Sequence, residues 1–298
     1  MSPLHELIAV NGRSFRYALG LMLLVVGGTI LAIKVWSGLQ SRLSPALWYA
    51  WQGGMLCALG TALGALPVIF MRSISARSYT AMLGFGGGMM LAASLFSLLP
   101  PAFQLTHEQS LTASQGSLLV AAGVVLGAGA LWALGHWLSR TSRASLRADQ
   151  GVGLSVWLFV IAIVLHNVPE GMAVGVAAAA NLSNADGLAL GIALQDVPEG
   201  LIIALVLAGA GMSRWKAVFC GAASGLVEPM FALLSAWLVG VSLQLLPWGL
   251  AIAAGAMLLV VIREIIPKLY RRSDMPPAVL GFASGFVLML AVGNALNV

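Results

Sequence analysis

Residues 166–171 read His-Asn-Val-Pro-Glu-Gly, and residues 195–200 read Gln-Asp-Val-Pro-Glu-Gly. Each hexapeptide lies inside a long apolar run. Together they place His166, Asn167, Glu170, Gln195, Asp196 and Glu199 where other charges are almost absent. A third polar island, Gly-Leu-Val-Glu-Pro, adds Glu228. Burying an ionisable group in lipid is costly, so each of these residues is a candidate functional group. Four carboxylates, Glu170, Asp196, Glu199 and Glu228, would be neutralised in full by two divalent cations, and no Lys or Arg stands at their level. Imidazole and carboxylate suit first-row metals such as zinc, while amide oxygens accept harder ions. A proton relay could use the carboxylates, but it would not need an imidazole and two amides on the same faces. A lone intramembrane His or Asn is as often a helix–helix hydrogen bond, and a lone Pro-Glu pair is usually a kink with a snorkelling side chain. The set as a whole argues against that reading.

The elements that must position these groups follow from composition. The chain has 298 residues, 60% hydrophobic and only 8% charged, whereas a soluble domain carries about 25% charged residues. That points to a polytopic membrane protein built of helices, since runs this long can satisfy their backbone in lipid only as helices. A span needs about 20 apolar residues. Nine such runs are marked at roughly 17–38, 46–70, 79–103, 116–138, 153–177, 187–210, 215–240, 248–270 and 277–297. The stretch before residue 17 lacks a short apolar core followed by a cleavage site, so the first run is expected to be retained. Cys57 and Cys220 lie in apolar runs and give neither a disulfide framework nor a Cys-rich metal motif.

Helical spacing gathers the polar groups. His166 and Glu170 are four apart, as are Gln195 and Glu199, so each pair shares a helix face. At about 1.5 Å per residue, His166, Asp196 and Glu228 all fall about 20 Å from the predicted cytoplasmic ends of their spans. Pro169 and Pro198 remove a backbone donor and are expected to bend their helices and free carbonyls in the preceding turn. The motifs lie on neighbouring, oppositely running spans, which suggests an inverted repeat around the site. Gly171 and Gly200 permit close helix approach.

The charges set the topology. With the N-terminus inside, cytoplasmic segments hold Arg13, Arg16, Arg72, Arg77, Arg140, Arg143, Arg147, Arg214, Lys216, Lys268, Arg271 and Arg272, against Lys34 and Arg42 outside. Arg263 is left inside a span. This asymmetry predicts a cytoplasmic N-terminus and an external C-terminus, and it accounts for the formal charge of +5 without nucleic-acid binding. The longest polar stretch, 139–152, reads as a short mobile cytoplasmic linker.

The three motifs, His-Asn-Val-Pro-Glu-Gly, Gln-Asp-Val-Pro-Glu-Gly and Gly-Leu-Val-Glu-Pro, resemble those of the ZIP (Zrt/Irt-like) divalent-metal transporters, in particular the bacterial GufA-like members. The resemblance covers about residues 46–297. It implies an eight-helix transport domain over 46–298, preceded by an N-terminal segment, 1–45, with an additional transmembrane helix. It also implies a homodimer in a bacterial cytoplasmic membrane. A binuclear site is implied, with His166, Glu170, Gln195, Asp196 and Glu199 on the first metal. Asn167, Glu170, Asp196, Glu199 and Glu228 would hold the second, with Glu170 and Glu199 as bridges. By alignment of Gly-Gly-Met-Met-Leu-Ala-Ala-Ser, Met90 would approach the first metal, although Met89 and Met90 read equally well as core gap-fillers.

Some positions depart from the family pattern. Ser97 and Pro101 stand where many members carry a His and a Glu at the outer end of the third span, with His107 and Glu108 in the following loop as partial replacements. Arg263-Glu264 replaces a His-Glu near the inner end of the eighth span, and Arg263 is expected to pair with Glu264 or with a core carboxylate. The expected function is uptake of a divalent metal, zinc first, with cadmium, iron or manganese as alternatives, and no catalytic cofactor. The chain has no P-loop pattern for an ATP motor. The rival from another class is an intramembrane metalloenzyme using two metals to activate water, against which stands the lack of a His-Glu-x-x-His motif.

Overall fold

A computed structural model describes residues 17–295, apart from 18, 19, 21, 23–25, 31, 32, 39, 72, 148–150 and 270–274. Among the described residues the chain is almost entirely helical and contains no strand. It divides into two compact units, residues 1–48 and 49–298. In the first, every described residue between 17 and 42 is helical, and Trp36 and Trp48 meet edge to face with centroids 4.7 Å apart. The predicted 17–38 span falls partly outside the described residues.

The remaining helices follow the apolar runs closely. They are α1 (Pro45–Ala65), α2 (Ala76–Ala92), α3 (Leu99–Glu108), α4 (Ala113–Arg147), α5 (Gly151–Ala179), α6 (Ala185–Gly209), α7 (Arg214–Ser224), α8 (Val227–Val241), α9 (Leu246–Val260), α10 (Ile266–Leu269) and α11 (Met275–Ala295). Among the described residues, seven helical segments are long and apolar enough to cross a membrane. The 29-residue α5, whose first half has side chains outside the description, also exceeds the length a span needs. This is an all-α polytopic membrane protein.

Four segments differ from the sequence expectation. The 139–152 stretch is not a linker throughout, because α4 continues to Arg147. Residues 139–149 contain no Gly or Pro, and their Arg, Leu and Ala favour helix. The seventh span is two helices, α7 and α8, separated at Gly225–Leu226. The third and eighth spans each contain a π-helical turn, Ala93–Leu98 and Val261–Ile265. Pro100 and Pro267 follow these turns within two residues. Each lacks an N–H and presses on the carbonyl four residues back, and widening the turn relieves that conflict.

Packing brings the motif helices together. α5 lies along α8 and against α6, while α2 packs along α11 and α4 along α9. Asn181, at φ 49°, turns the chain from α5 into α6, a left-handed conformation that Asn accepts more readily than most residues. Both Pro169 and Pro198 sit inside continuous helices.

Candidate metal site

The three polar islands meet in the interior. Glu170 and Glu228 are fully buried, and Asn167, Gln195 and Asp196 are 1–2% exposed. Asn167 Nδ2 donates to Glu228 Oε1 at 2.9 Å and approaches the Ser224 carbonyl at 3.4 Å, joining α5 to both sides of the α7–α8 break. Gln195 Nε2 donates to Glu170 Oε1, joining α6 to α5. Each amide thus spends its donor on a carboxylate of another helix. These contacts bring the three polar islands together across α5, α6 and α8.

The helix break positions Glu228. It falls in the first turn of α8, where unsatisfied N–H groups and the helix dipole favour an anion. Pro229 is tolerated there because the first turn needs no donor from it. Close approach is secured by glycine. A Cβ on Gly171 would run into the Glu228 backbone, and one on Gly200 into the backbone of Thr61.

Most of the oxygen at this centre lacks a donor. Among the described residues, Asn167 Oδ1, Glu170 Oε2, Gln195 Oε1, both Asp196 oxygens and Glu228 Oε2 are buried without a hydrogen-bond partner. Buried polar atoms are rarely left so, and a cluster of them calls for a ligand. A convergence of acceptor-only oxygens fits a cation. Glu170, Asp196 and Glu199 each offer an oxygen within 4.8 Å of the others, and Cys57, Asp196 and Glu228 form a second grouping within the same limit. The two groupings share Asp196, whereas the sequence expectation placed the bridges at Glu170 and Glu199. His166 and Glu199 are half-buried on α5 and α6. Met90 is buried on α2, and its carbonyl accepts the Ser94 hydroxyl at 2.8 Å.

Two residues on α1, Cys57 and Thr61, were not placed at the site by the sequence reading. Thr61 Oγ1 donates to Glu228 Oε1 at 3.2 Å, and the fully buried Cys57 sits one turn earlier on the same face. Their spacing within an otherwise apolar span was the available signal, but Cys and Thr are ordinary in such spans.

The peripheral positions are less engaged. Ser97 is buried beside a small cavity of about 50 Å³ that also meets Asn184 and Asn294. His107 and Glu108 are exposed at the end of α3. Arg263 is exposed, so its guanidinium does not neutralise the buried carboxylates, contrary to one of the two pairings expected for it. The Glu264 side chain lies outside the described residues.

Comparison with known proteins agrees with this architecture. Residues 135–293 match the family model described as ZIP Zinc transporter. The zinc transporter GufA of Myxococcus xanthus is 40% identical over 248 residues, covering 82% of this chain and 97% of that protein. The zinc transporter ZIPB of Bordetella bronchiseptica is 40% identical over 301 residues, covering 94% and 90%. Human zinc transporter ZIP11 is 31% identical and covers 80% and 94%. With the buried polar centre carried on the helices that the family model matches, this chain belongs to the ZIP zinc transporter family and is a transporter, not an enzyme.

Proposed function

We propose that this transporter carries divalent metal cations, zinc foremost, into the cell through a site that holds two ions. Cadmium, iron and manganese are the alternative cargoes. The observation that carries this reading is the buried cluster of oxygens without donors on α5, α6 and α8. Two divalent cations balance Glu170, Asp196, Glu199 and Glu228. The names of the relatives, zinc transporters in each case, support zinc as the cargo.

His166, Glu170, Gln195, Asp196 and Glu199, with Met90 from α2, hold the first ion. Asn167, Glu170, Asp196, Glu199 and Glu228 hold the second. The amide nitrogens of Asn167 and Gln195 already fix carboxylates, which leaves their oxygens for metal. Outer-shell hydrogen bonds of this kind orient ligands and raise affinity. Transport proceeds by alternating access, with the motif helices moving against the remaining helices around a fixed site. The protein works as a homodimer in a bacterial cytoplasmic membrane, N-terminus inside and C-terminus outside.

The test is flux in proteoliposomes for a panel of divalent metals at controlled pH gradient and membrane potential. Zinc flux that is abolished in Glu170→Ala supports the reading. Wild-type protein that binds metal and moves none would overturn it.

A further inference from the structure

We infer that Cys57 is a metal ligand, and that its sulfur gives one half of the site a preference for thiophilic divalent cations. The inference rests on the carboxylate site proposed above and adds a donor from a helix, α1, that carries none of the sequence motifs. Cys57 Sγ, an Asp196 oxygen and a Glu228 oxygen lie within 4.8 Å of one another. Both Asp196 oxygens and Glu228 Oε2 are buried in this cluster without a hydrogen-bond partner. The thiol is itself fully buried, and among the described residues it donates to the Ala189 carbonyl at 3.5 Å. A thiol is a weak donor, so little holds the sulfur in that contact when a cation arrives.

The α1 face is built to bring the sulfur there. Gly53, Cys57 and Thr61 repeat every four residues and so lie in one row. A Cβ on Gly53 would strike Val174 and Ala189, and Thr61 holds Glu228. The row therefore runs along α5 and α6 into the carboxylates. A cavity of about 240 Å³, reached by Asn181 and Asp186 near the α5–α6 turn, extends to Gly53 and Ala189, one helical turn from Cys57.

Thiolate is the ligating form of cysteine. On binding, the S–H bond gives way to a sulfur–metal bond, and the proton leaves with the water shed by the ion. Thiolate favours zinc and other soft cations, whereas carboxylates, amides and water suit manganese and magnesium. The Cys57–Asp196–Glu228 half of the site is thus the discriminating half.

Cobalt(II) loaded into the purified full-length protein is the probe, because thiolate ligation produces a charge-transfer absorption in the near ultraviolet. The wild type and Cys220→Ser should show it, and Cys57→Ser should not. Cys57→Ser should also bind cadmium at least about tenfold more weakly, the lower bound for loss of even an outer-shell partner, with manganese affinity little changed. Cobalt bound to wild type without that absorption, or unchanged cadmium affinity in Cys57→Ser, overturns the inference. Asp196→Ala, which removes the ligand shared by both groupings, separates the failures. If it abolishes cobalt binding while wild type lacks the band, only the sulfur assignment falls. If it leaves cobalt binding intact, the carboxylate site and the inference fall together.

Discussion

Asn167 Nδ2 lies 2.9 Å from Glu228 Oε1, and this bond ties α5 to the first turn of α8. The same nitrogen approaches the Ser224 carbonyl at the end of α7. One amide thus spans the break in the seventh span and sets the carboxylate that the break presents. Replacing it with Asn167→Ala should weaken zinc binding by about 10–100-fold, as loss of an outer-shell partner does, with a further loss if its oxygen ligates. Calorimetric titration of the purified protein measures this, and unchanged affinity would remove Asn167 from the site.

Because the two groupings among the described residues both include Asp196, its loss should be felt twice. Elemental analysis should find two zinc ions per wild-type protomer and none in Asp196→Ala. Glu228→Ala should retain one, since Glu228 belongs to one grouping only. Equal loss in both variants would make the site a single indivisible cluster.

These relationships show which parts of the molecule were legible in the sequence. The paired hexapeptides sit in runs so apolar that each polar side chain announced itself, and helix rise alone placed three of them at one level. The spans were readable for the same reason. Cys57 and Thr61 were not, because neither type is unusual in a membrane helix and their meaning comes from what α1 packs against. The break at Gly225–Leu226 was hidden because Gly-Leu-Val is apolar enough to continue a span, and only the tertiary contact of Glu228 with α1 and α5 shows why the helix restarts there. The helical course of residues 139–147 was masked by their polarity, which in a chain of this class reads as loop although the individual residues favour helix.

The glycine contacts make a packing prediction. In Gly200→Ala the added methyl meets the Thr61 backbone rather than a movable side chain. It should force α1 from α6 and cost about 1–3 kcal/mol, the usual penalty for overpacking. It should also move Thr61 from Glu228 and so lower zinc affinity. Thermal unfolding with and without zinc measures both. A stable variant with normal affinity would show that α1 need not lie so close.

Protons and metal compete for the same atoms. Carboxylates and imidazole ligate only when deprotonated, so lowering pH on the side of entry should raise the zinc concentration needed for half-maximal flux, and raising pH should lower it. Initial rates in proteoliposomes across a pH series give the sign. Flux that rises steadily on acidification in the absence of a proton gradient would contradict a site made of these ligands.

Arg263 provides the last test. It is exposed on a π-helical turn that is followed by Pro267, at the predicted inner end of the eighth span. A guanidinium offers donors and no lone pair, so it cannot pass a cation from ligand to ligand, and its charge opposes one leaving nearby. Neutral histidine can ligate at physiological pH. Arg263→His should therefore speed release and raise the maximal uptake rate. The size follows from a single exposed charge, about 1 kcal/mol, which corresponds to a several-fold change. Arg263→Lys keeps the charge and should leave the rate near that of wild type. Stopped-flow readout of a metal indicator trapped in the vesicles resolves the three proteins. If the histidine variant matches the wild type, Arg263 does not stand on the exit route.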